Sequence, residues 1–150
     1  MKEVYGDLVK QADEFDVVIH GCNCMNTMGG GIAVALRVAY PGIYDADTIA
    51  YKAGKVRLGN MSIHFEPSIN TTFVNCYTQH DFKGRKTGKR DVDYFAIKEC
   101  MQKVKKRFSG MKIGIPLIGC GLAGGDWNLV STIIDEELLG EDVTLVKIKD

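Results

Sequence analysis

The chain has 150 residues, of which 45% are hydrophobic, and it carries 19 basic and 19 acidic side chains. This length and composition are typical of one globular domain with a core of its own. Zero formal net charge gives no indication of a general nucleic-acid-binding surface, and no apolar run is long enough to span a membrane. Five cysteines in apolar or glycine-rich surroundings favour reduced thiols over a disulfide framework.

The predicted elements alternate between strands and helices along the chain. Apolar, β-branched runs predict strands at 2–5, 17–20, 61–66, 71–77, 111–118 and 143–148. Helical patterns cover 31–40, 41–51, 92–108 and 126–139, and a short helix or turn covers 9–15. This order predicts one α/β domain over 1–150, with a mixed central sheet of about six strands and helices on both faces.

One stretch combines a strand, a glycine turn and a helix. The strand at 17–20 leads to Gly29, Gly30 and Gly31, and an apolar helix follows at once. The N-terminus of a helix presents unpaired N–H groups with partial positive charge, and glycine lets a phosphate approach them closely. The sequence matches neither a P-loop nor the Rossmann fingerprint. Polar side chains near the same strand end add hydrogen-bonding groups: His20, Asn23 and Asn26.

A second glycine loop, 119–125, follows the predicted strand 111–118. Ligands of open α/β sheets bind beyond the carboxyl ends of the strands, so the two loops are expected to meet at one crevice. A phosphorylated ligand held between two glycine loops is the function that this pattern favours. For the first loop alone, a turn that needs positive φ angles remains the alternative.

Two other segments leave alternatives open. The basic segment 78–91 is either a solvated mobile loop or a lid over a phosphate-bearing ligand. His20, Cys22 and Cys24 alternate along an extended segment, where neighbouring side chains need not converge, and no second pair with zinc spacing follows. No metal site is therefore expected.

With both loops in place, the sequence resembles the macro domain family, which binds ADP-ribose and its derivatives. The resemblance covers nearly the whole chain. It rests on Gly6-Asp7-Leu8 after the first strand, on Asn23 eight residues before Gly31-Ile32-Ala33, and on the strand 115–118 that runs into Gly119-Cys120-Gly121. The segment from His20 to Cys24, followed by three glycines, looks most like the compact branch that contains the fungal-type ADP-ribose-1″-phosphate phosphatases.

The resemblance implies a ligand-binding role for particular residues. Asp7 and Leu8 would contact the adenine, Asn23 would hold the distal ribose, and backbone N–H groups of the two loops would grip the diphosphate. The residues expected to bind the ligand are Asp7, Leu8, Asn23, Asn26, Gly29, Gly30, Gly31, Ile32, Gly119, Cys120, Gly121, Leu122, Ala123 and Gly124.

The same resemblance predicts a metal-independent and cofactor-free phosphatase that acts on ADP-ribose 1″-phosphate. His20 would face the distal ribose and assist catalysis, and Asp126 would orient it or a water. In the alternatives, both residues have structural roles only: His20 caps a neighbouring carbonyl, and Asp126 is the N-cap of the last helix.

Gln79 and Ala123 stand where related hydrolases have a lysine and an aspartate, which argues against removal of ADP-ribose from a side chain. A mono-ADP-ribosyl hydrolase and a non-catalytic ADP-ribose reader remain the alternatives. We further expect a monomer in the cytoplasm, or in the host cytoplasm if a phage encodes it.

Overall fold

The computed structural model of the protein describes residues 1–148, apart from the side chain of Arg85. The strands are β1 Lys2–Tyr5, β2 Val17–Asn23, β3 Met61–Glu66, β4 Thr71–Gln79, β5 Lys112–Ile115 and β6 Asp142–Lys147. The helices are α1 Gly31–Ala39, α2 Gly42–Lys52, α3 Tyr94–Phe108 and α4 Trp127–Glu137, with short 3₁₀ turns at Ala12–Glu14 and Lys83–Lys86.

The six strands form one sheet in the order β1-β6-β5-β2-β4-β3. The first five in this order pair in parallel, and β3 pairs with β4 in the antiparallel sense. Strand β2 is central, because Val17 is in register with Thr72 of β4 on one side and with Ile113 of β5 on the other. The predicted mixed sheet of about six strands is confirmed.

Helices cover both faces of the sheet. Alternate residues of β2 point to opposite faces, so Val17 and Ile19 join the core beneath α3 and α4. Val18 and Cys22 join the second core, beneath α1 and α2. The prediction of helices on both faces is also confirmed, and β2 belongs to both cores.

Local chemistry explains where several elements begin and end. Asp93 caps α3 by accepting the Ala96 N–H at 2.9 Å. Strand β5 ends at Ile115, short of the predicted 118, because Pro116 has no N–H to donate to a neighbouring strand. The last predicted strand ends at Lys147. Residues 149–150 of the predicted domain lie outside the described part, and the extent 1–150 stays a prediction.

Candidate ligand-binding site

A crevice of about 600 Å³ runs across the carboxyl ends of the five parallel strands. Asp7, which follows β1, lies at one end, and Gln79, the last residue of β4, lies at the other. β1 and β4 are four strand spacings apart in the sheet order, which corresponds to about 19 Å. The crevice is therefore long enough for an extended ligand with several groups in a row.

The first glycine loop forms one wall of the crevice. Gly30, Gly31, Ile32 and Ala33 line it at the N-terminus of α1. Gly31 has φ +58°, a conformation that residues with a side chain rarely adopt. The first N–H groups of α1 have no acceptor within the helix, and they present partial positive charge to the crevice.

The second glycine loop forms the opposite wall. Gly119, Gly121, Leu122 and Ala123 line the crevice. The loop is closed by the bond from Gly125 N–H to Gly119 O at 2.7 Å. Within 1–148, the N–H groups of Gly121, Leu122 and Ala123 donate to no protein acceptor, so they are available to an anion. The expected meeting of the two loops at one crevice is what the structure has.

Asp7 and Leu8 stand together at the β1 end of the crevice. The Asp7 Oδ1 atom accepts the N–H groups of Val9 at 3.0 Å and Lys10 at 3.3 Å, which fixes the turn after the strand. Asp7 is exposed, whereas Leu8 is buried. The two bonds to Oδ1 thus fix the orientation of the Asp7 carboxylate, and the side chain stays accessible from the crevice.

At the β4 end the crevice continues into a chamber of about 90 Å³. Its polar lining includes Asn23, Gln79 and Asp91. The Asn23 amide is oriented by its own loop, since Nδ2 donates to Thr27 O at 2.8 Å and Oδ1 accepts Met25 N–H at 2.9 Å. Gln79 Nε2 donates to Asp81 O at 2.7 Å. Asp91 is a lining residue that the sequence analysis missed.

The predicted position of His20, facing the ligand, is wrong. Its side chain has no exposed surface, and it is not among the residues that line the crevice or the chamber. Position 20 shares a face of β2 with Val18 and Cys22, so the imidazole lies in the core on the α2 side. There His20 Nε2 lies 2.6 Å from Asn75 Oδ1.

The tautomer of His20 follows from its partner. Asn75 Nδ2 donates to Ile43 O and to Ser62 Oγ, both at 3.0 Å, so Asn75 Oδ1 is the acceptor and His20 Nε2 carries the proton. Burial lowers the pKa of His20 to about 4, against a smaller opposing effect of the Asn75 bond. His20 is therefore neutral at pH 7 and holds strands β2 and β4 together.

Asp126 does not meet His20. It caps α4, where Oδ1 accepts Asn128 N–H at 2.9 Å, and α4 covers the face of the sheet opposite to the one that contains His20. Its predicted catalytic pairing with His20 is wrong, because the sheet separates the two residues. The alternative, an N-cap, is what the structure has.

Three of the predicted ligand-binding residues are not among those that line the crevice or the chamber. Asn26 faces α2 instead, where its amide forms two hydrogen bonds with Thr48 at 3.0 and 3.1 Å. The backbone of Asn26 is in the left-handed region, with φ +54°. Cys120 and Gly124 complete the second loop without lining either space. Burial and nearby Asp126 raise the pKa of Cys120 to about 11.

The other predicted binding residues do line the site. Asp7, Leu8, Gly30, Gly31, Ile32, Gly119, Gly121, Leu122 and Ala123 line the crevice, and Asn23 and Gly29 line the chamber. Their contacts with a ligand stay a prediction.

Four of the basic side chains between β4 and α3 lie outside the site. Lys83, Lys86 and Lys89 are exposed, and the guanidinium of Arg90 lies 4.3 Å from the centre of the Tyr94 ring. None of these four lines the crevice or the chamber. This arrangement favours the solvated loop over the basic lid. Within 1–148, no group of three or more His, Cys, Asp and Glu side chains is placed to hold a metal ion.

The comparisons with known proteins agree with this geometry. A family model described as "Macro domain" matches residues 19–134. An uncharacterised 17.5 kDa protein from the tk-vs intergenic region of Enterobacteria phage T4 is 32% identical over an alignment of 143 residues that covers 90% of this chain and 88% of the phage protein. The chain therefore belongs to the macro domain family.

Further similarities are more distant or shorter. An ADP-ribose 1″-phosphate phosphatase of Aspergillus oryzae is 44% identical over 45 residues, 30% of this chain and 22% of that protein. A protein of unknown function from Bacteroides thetaiotaomicron matches with TM-score 0.85 and 28% identity over 99% of both chains. Thermosipho africanus DarTG, solved in complex with ADP-ribose, matches with TM-score 0.81 and 19% identity over 98% of this chain and 42% of that one. None of the helices within 1–148 has the length and apolar character needed to cross a membrane.

Proposed function

We propose that this macro domain binds ADP-ribose along the crevice. The observation that carries the proposal is that both glycine loops line the same crevice, and that each contains backbone N–H groups without a protein acceptor in the described part of the chain, at Gly121, Leu122 and Ala123 in one loop and at the start of α1 in the other. Two sets of N–H groups neutralise a diphosphate without a lysine or a metal ion. The adenosine end would lie at Asp7 and Leu8, and the distal ribose would lie at the chamber beside Asn23.

The relatives support this ligand. The Aspergillus protein is named for a phosphorylated ADP-ribose, and the Thermosipho protein of the same fold was solved with ADP-ribose. The spacing of β1 and β4 leaves room for adenosine, diphosphate and ribose in a row.

The second candidate is hydrolysis of ADP-ribose 1″-phosphate to ADP-ribose and phosphate, without a metal ion. The 44% identity with the Aspergillus phosphatase over 45 residues favours it. In this reaction water attacks phosphorus and the bond to the ribose oxygen breaks. Because His20 is buried, it would contribute as a positioning residue, through Asn75 and strand β2, rather than by contact with the phosphate.

Calorimetric titration with ADP-ribose tests the binding proposal, with Asp7→Asn as the informative variant. Asparagine keeps an Oδ1 acceptor for the turn after β1 and replaces the free carboxylate oxygen with a donor. Loss of that acceptor is expected to weaken ADP-ribose binding by about 1–3 kcal/mol. Unchanged affinity in Asp7→Asn would mean that the adenine does not lie at Asp7, and no binding by the wild type would refute the proposal itself.

The phosphatase candidate is decided in the same samples. Phosphate release from ADP-ribose 1″-phosphate is measured with EDTA present, for the wild type and for His20→Gln. Release by the wild type supports the second candidate. Tight ADP-ribose binding without phosphate release leaves the protein as a binding module or as a hydrolase of another linkage.

A further inference from the structure

Strand β3 forms one edge of the sheet, and its outer side is open. It is last in the strand order and pairs with β4 in continuous register over all six of its residues. The other edge strand, β1, has four residues, of which Lys2 and Glu3 form ion pairs. β3 contains no lysine and no proline, the residues that commonly keep one edge strand from pairing with another.

The hydrogen bonds to β4 determine which backbone groups of β3 point outward. Tyr77 N–H donates to Asn60 O at 3.0 Å, and hydrogen-bonded pairs alternate along an antiparallel ladder, so residues 62, 64 and 66 face β4 in the same way. Met61, Ile63 and Phe65 therefore direct their N–H and C=O groups away from the sheet. Among residues 1–148, these outward groups have no hydrogen-bond partner.

There is space beside this edge. A groove of about 870 Å³ runs between β3 and α2. The α2 residues that line it are mostly small, among them Gly42, Ala46 and Ala50. Ile49, which also lines the groove, is 70% exposed, and Phe65 at the end of β3 is 52% exposed. The edge is thus accessible and is flanked by apolar surface.

The two ends of the groove carry opposite charges. Gly42, at the start of α2, lies against the ring of His64 near the end of β3, so Asp45 belongs to this end. The other end lies where Asn60 leads into β3, and its charged lining residues are all basic: Lys55, Arg57 and Lys103. A two-fold axis across the edge would bring the acidic end of one groove opposite the basic end of another.

We propose that β3 pairs with β3 of a second copy of this chain, about a two-fold axis at Ile63. Antiparallel pairing then matches Met61 of each copy with Phe65 of the other, and Ile63 with Ile63. Each matched pair exchanges two N–H···O bonds, so every outward N–H and C=O group of β3 gains a partner. The contact is the same surface on both copies and closes as a dimer, with the two sheets joined into one.

Charge complementarity favours a second copy over an unrelated chain as the partner. The two-fold arrangement brings Asp45 of each copy to the end of the groove that carries Arg57 in the other copy, and opposite charges across an interface select the partner and its register. A dimer replaces the monomer that was expected from the sequence. It is independent of ADP-ribose binding, since no residue of β3 lines the crevice or the chamber.

Sedimentation velocity at about 100 µM protein tests the pairing, because a small interface forms a dimer of micromolar affinity. The wild type is expected to sediment as a dimer of two 16.5 kDa chains. Phe65→Pro removes an outward N–H from each copy and leaves the bonds to β4 in place. Phe65→Val is the matched control, since valine keeps the N–H. The proline variant is expected to dissociate about tenfold or more readily than the valine variant.

A charge exchange tests the two-fold register without changing β3. Asp45 and Arg57 are exposed, and within residues 1–148 neither side chain forms a hydrogen bond or an ion pair. Asp45→Lys and Arg57→Glu each place like charges opposite one another, so each variant alone is expected to dimerise more weakly than the wild type. An equimolar mixture is expected to restore the dimer, because lysine in one copy then faces glutamate in the other.

Three results would overturn the inference. These are a monomeric wild type, a folded Phe65→Pro that dimerises as tightly as Phe65→Val, and a mixture of the charge variants that dimerises no better than either alone. All four variants are expected to bind ADP-ribose as the wild type does, because positions 45, 57 and 65 lie outside the crevice. Failure of the dimer and failure of ADP-ribose binding are therefore separate results.

Discussion

Among single residues, His20 shows how strand geometry decides between a catalytic and a structural role. The loop after β2 reaches the crevice, yet residue 20 lies three positions before the end of that strand and on its inner face. His20 Nε2–H donates to Asn75 Oδ1, and Asn75 Nδ2 in turn donates to the Ile43 carbonyl in α2. The buried position of residue 20 could have been predicted from the sequence, because residues 18, 20 and 22 must share one face of an extended strand.

The buried imidazole predicts how stability depends on pH. The pKa of His20 is lowered from 6.5 to about 4 in the folded protein, so between these values the unfolded chain binds a proton that the native state does not. Stability therefore falls as pH drops from about 6.5 to about 4, by up to about 3 kcal/mol, and is fully present above this window. Urea unfolding of the wild type at several pH values across this range measures it.

His20→Gln is the control for this pH dependence, because its amide can donate to Asn75 but does not titrate. Burial raises the pKa of Asp47, so this residue makes the protein more stable on acidification, opposite to the effect of His20. Asp47 is present in both proteins, and its contribution therefore cancels when their pH curves are compared. The wild type is expected to lose more stability than His20→Gln on acidification. Parallel pH curves for the two proteins would contradict the assignment. ADP-ribose binding by folded His20→Gln is expected to match that of the wild type, since position 20 does not line the crevice.

At the scale of elements, strand–glycine–helix patterns were predictable because each depends on local chemistry. The first glycine loop and α1 follow from the strand, the three glycines and the apolar run that ends before Pro41. Strand lengths were less predictable. β4 continues to Gln79 because it pairs with β2 as far as Asn23, and a partner strand is not visible in a single segment.

The N-terminus of α4 gives a prediction about an element. Asp126→Ala removes the acceptor for Asn128 N–H and is expected to cost about 1 kcal/mol of unfolding free energy, whereas Asp126→Asn keeps the cap and is expected to cost little. Chemical denaturation measures both variants. If Asp126→Asn stays folded but loses ADP-ribose binding or phosphate release, Asp126 has a functional role that the cap does not explain.

At the scale of the whole molecule, parallel pairing brings distant segments to one edge of the sheet. Residues 7, 30, 79 and 121 line the same crevice because the strands before them end on the same side. The general position of the site follows from this rule. Asp91 does not follow from it, since its place depends on two hydrogen bonds to Ala123 and on the bridge between Gln79 and Val92. A non-periodic segment of charged residues and glycines gives no sign of such contacts.

The crevice is lined by residues at the ends of five strands, so a ligand bound in it is expected to stabilise the domain as a whole. ADP-ribose at a hundred times its dissociation constant adds about 2.7 kcal/mol to the unfolding free energy, which is about 5–10 °C in Tm for a chain of this size. Thermal melts with ADP-ribose, AMP and ribose 5-phosphate at equal concentration measure the contribution of each end. AMP reaches only Asp7 and the first phosphate position, so its shift is expected to be the smaller. A shift with AMP as large as that with ADP-ribose would show that the second sugar and the chamber contribute nothing to binding.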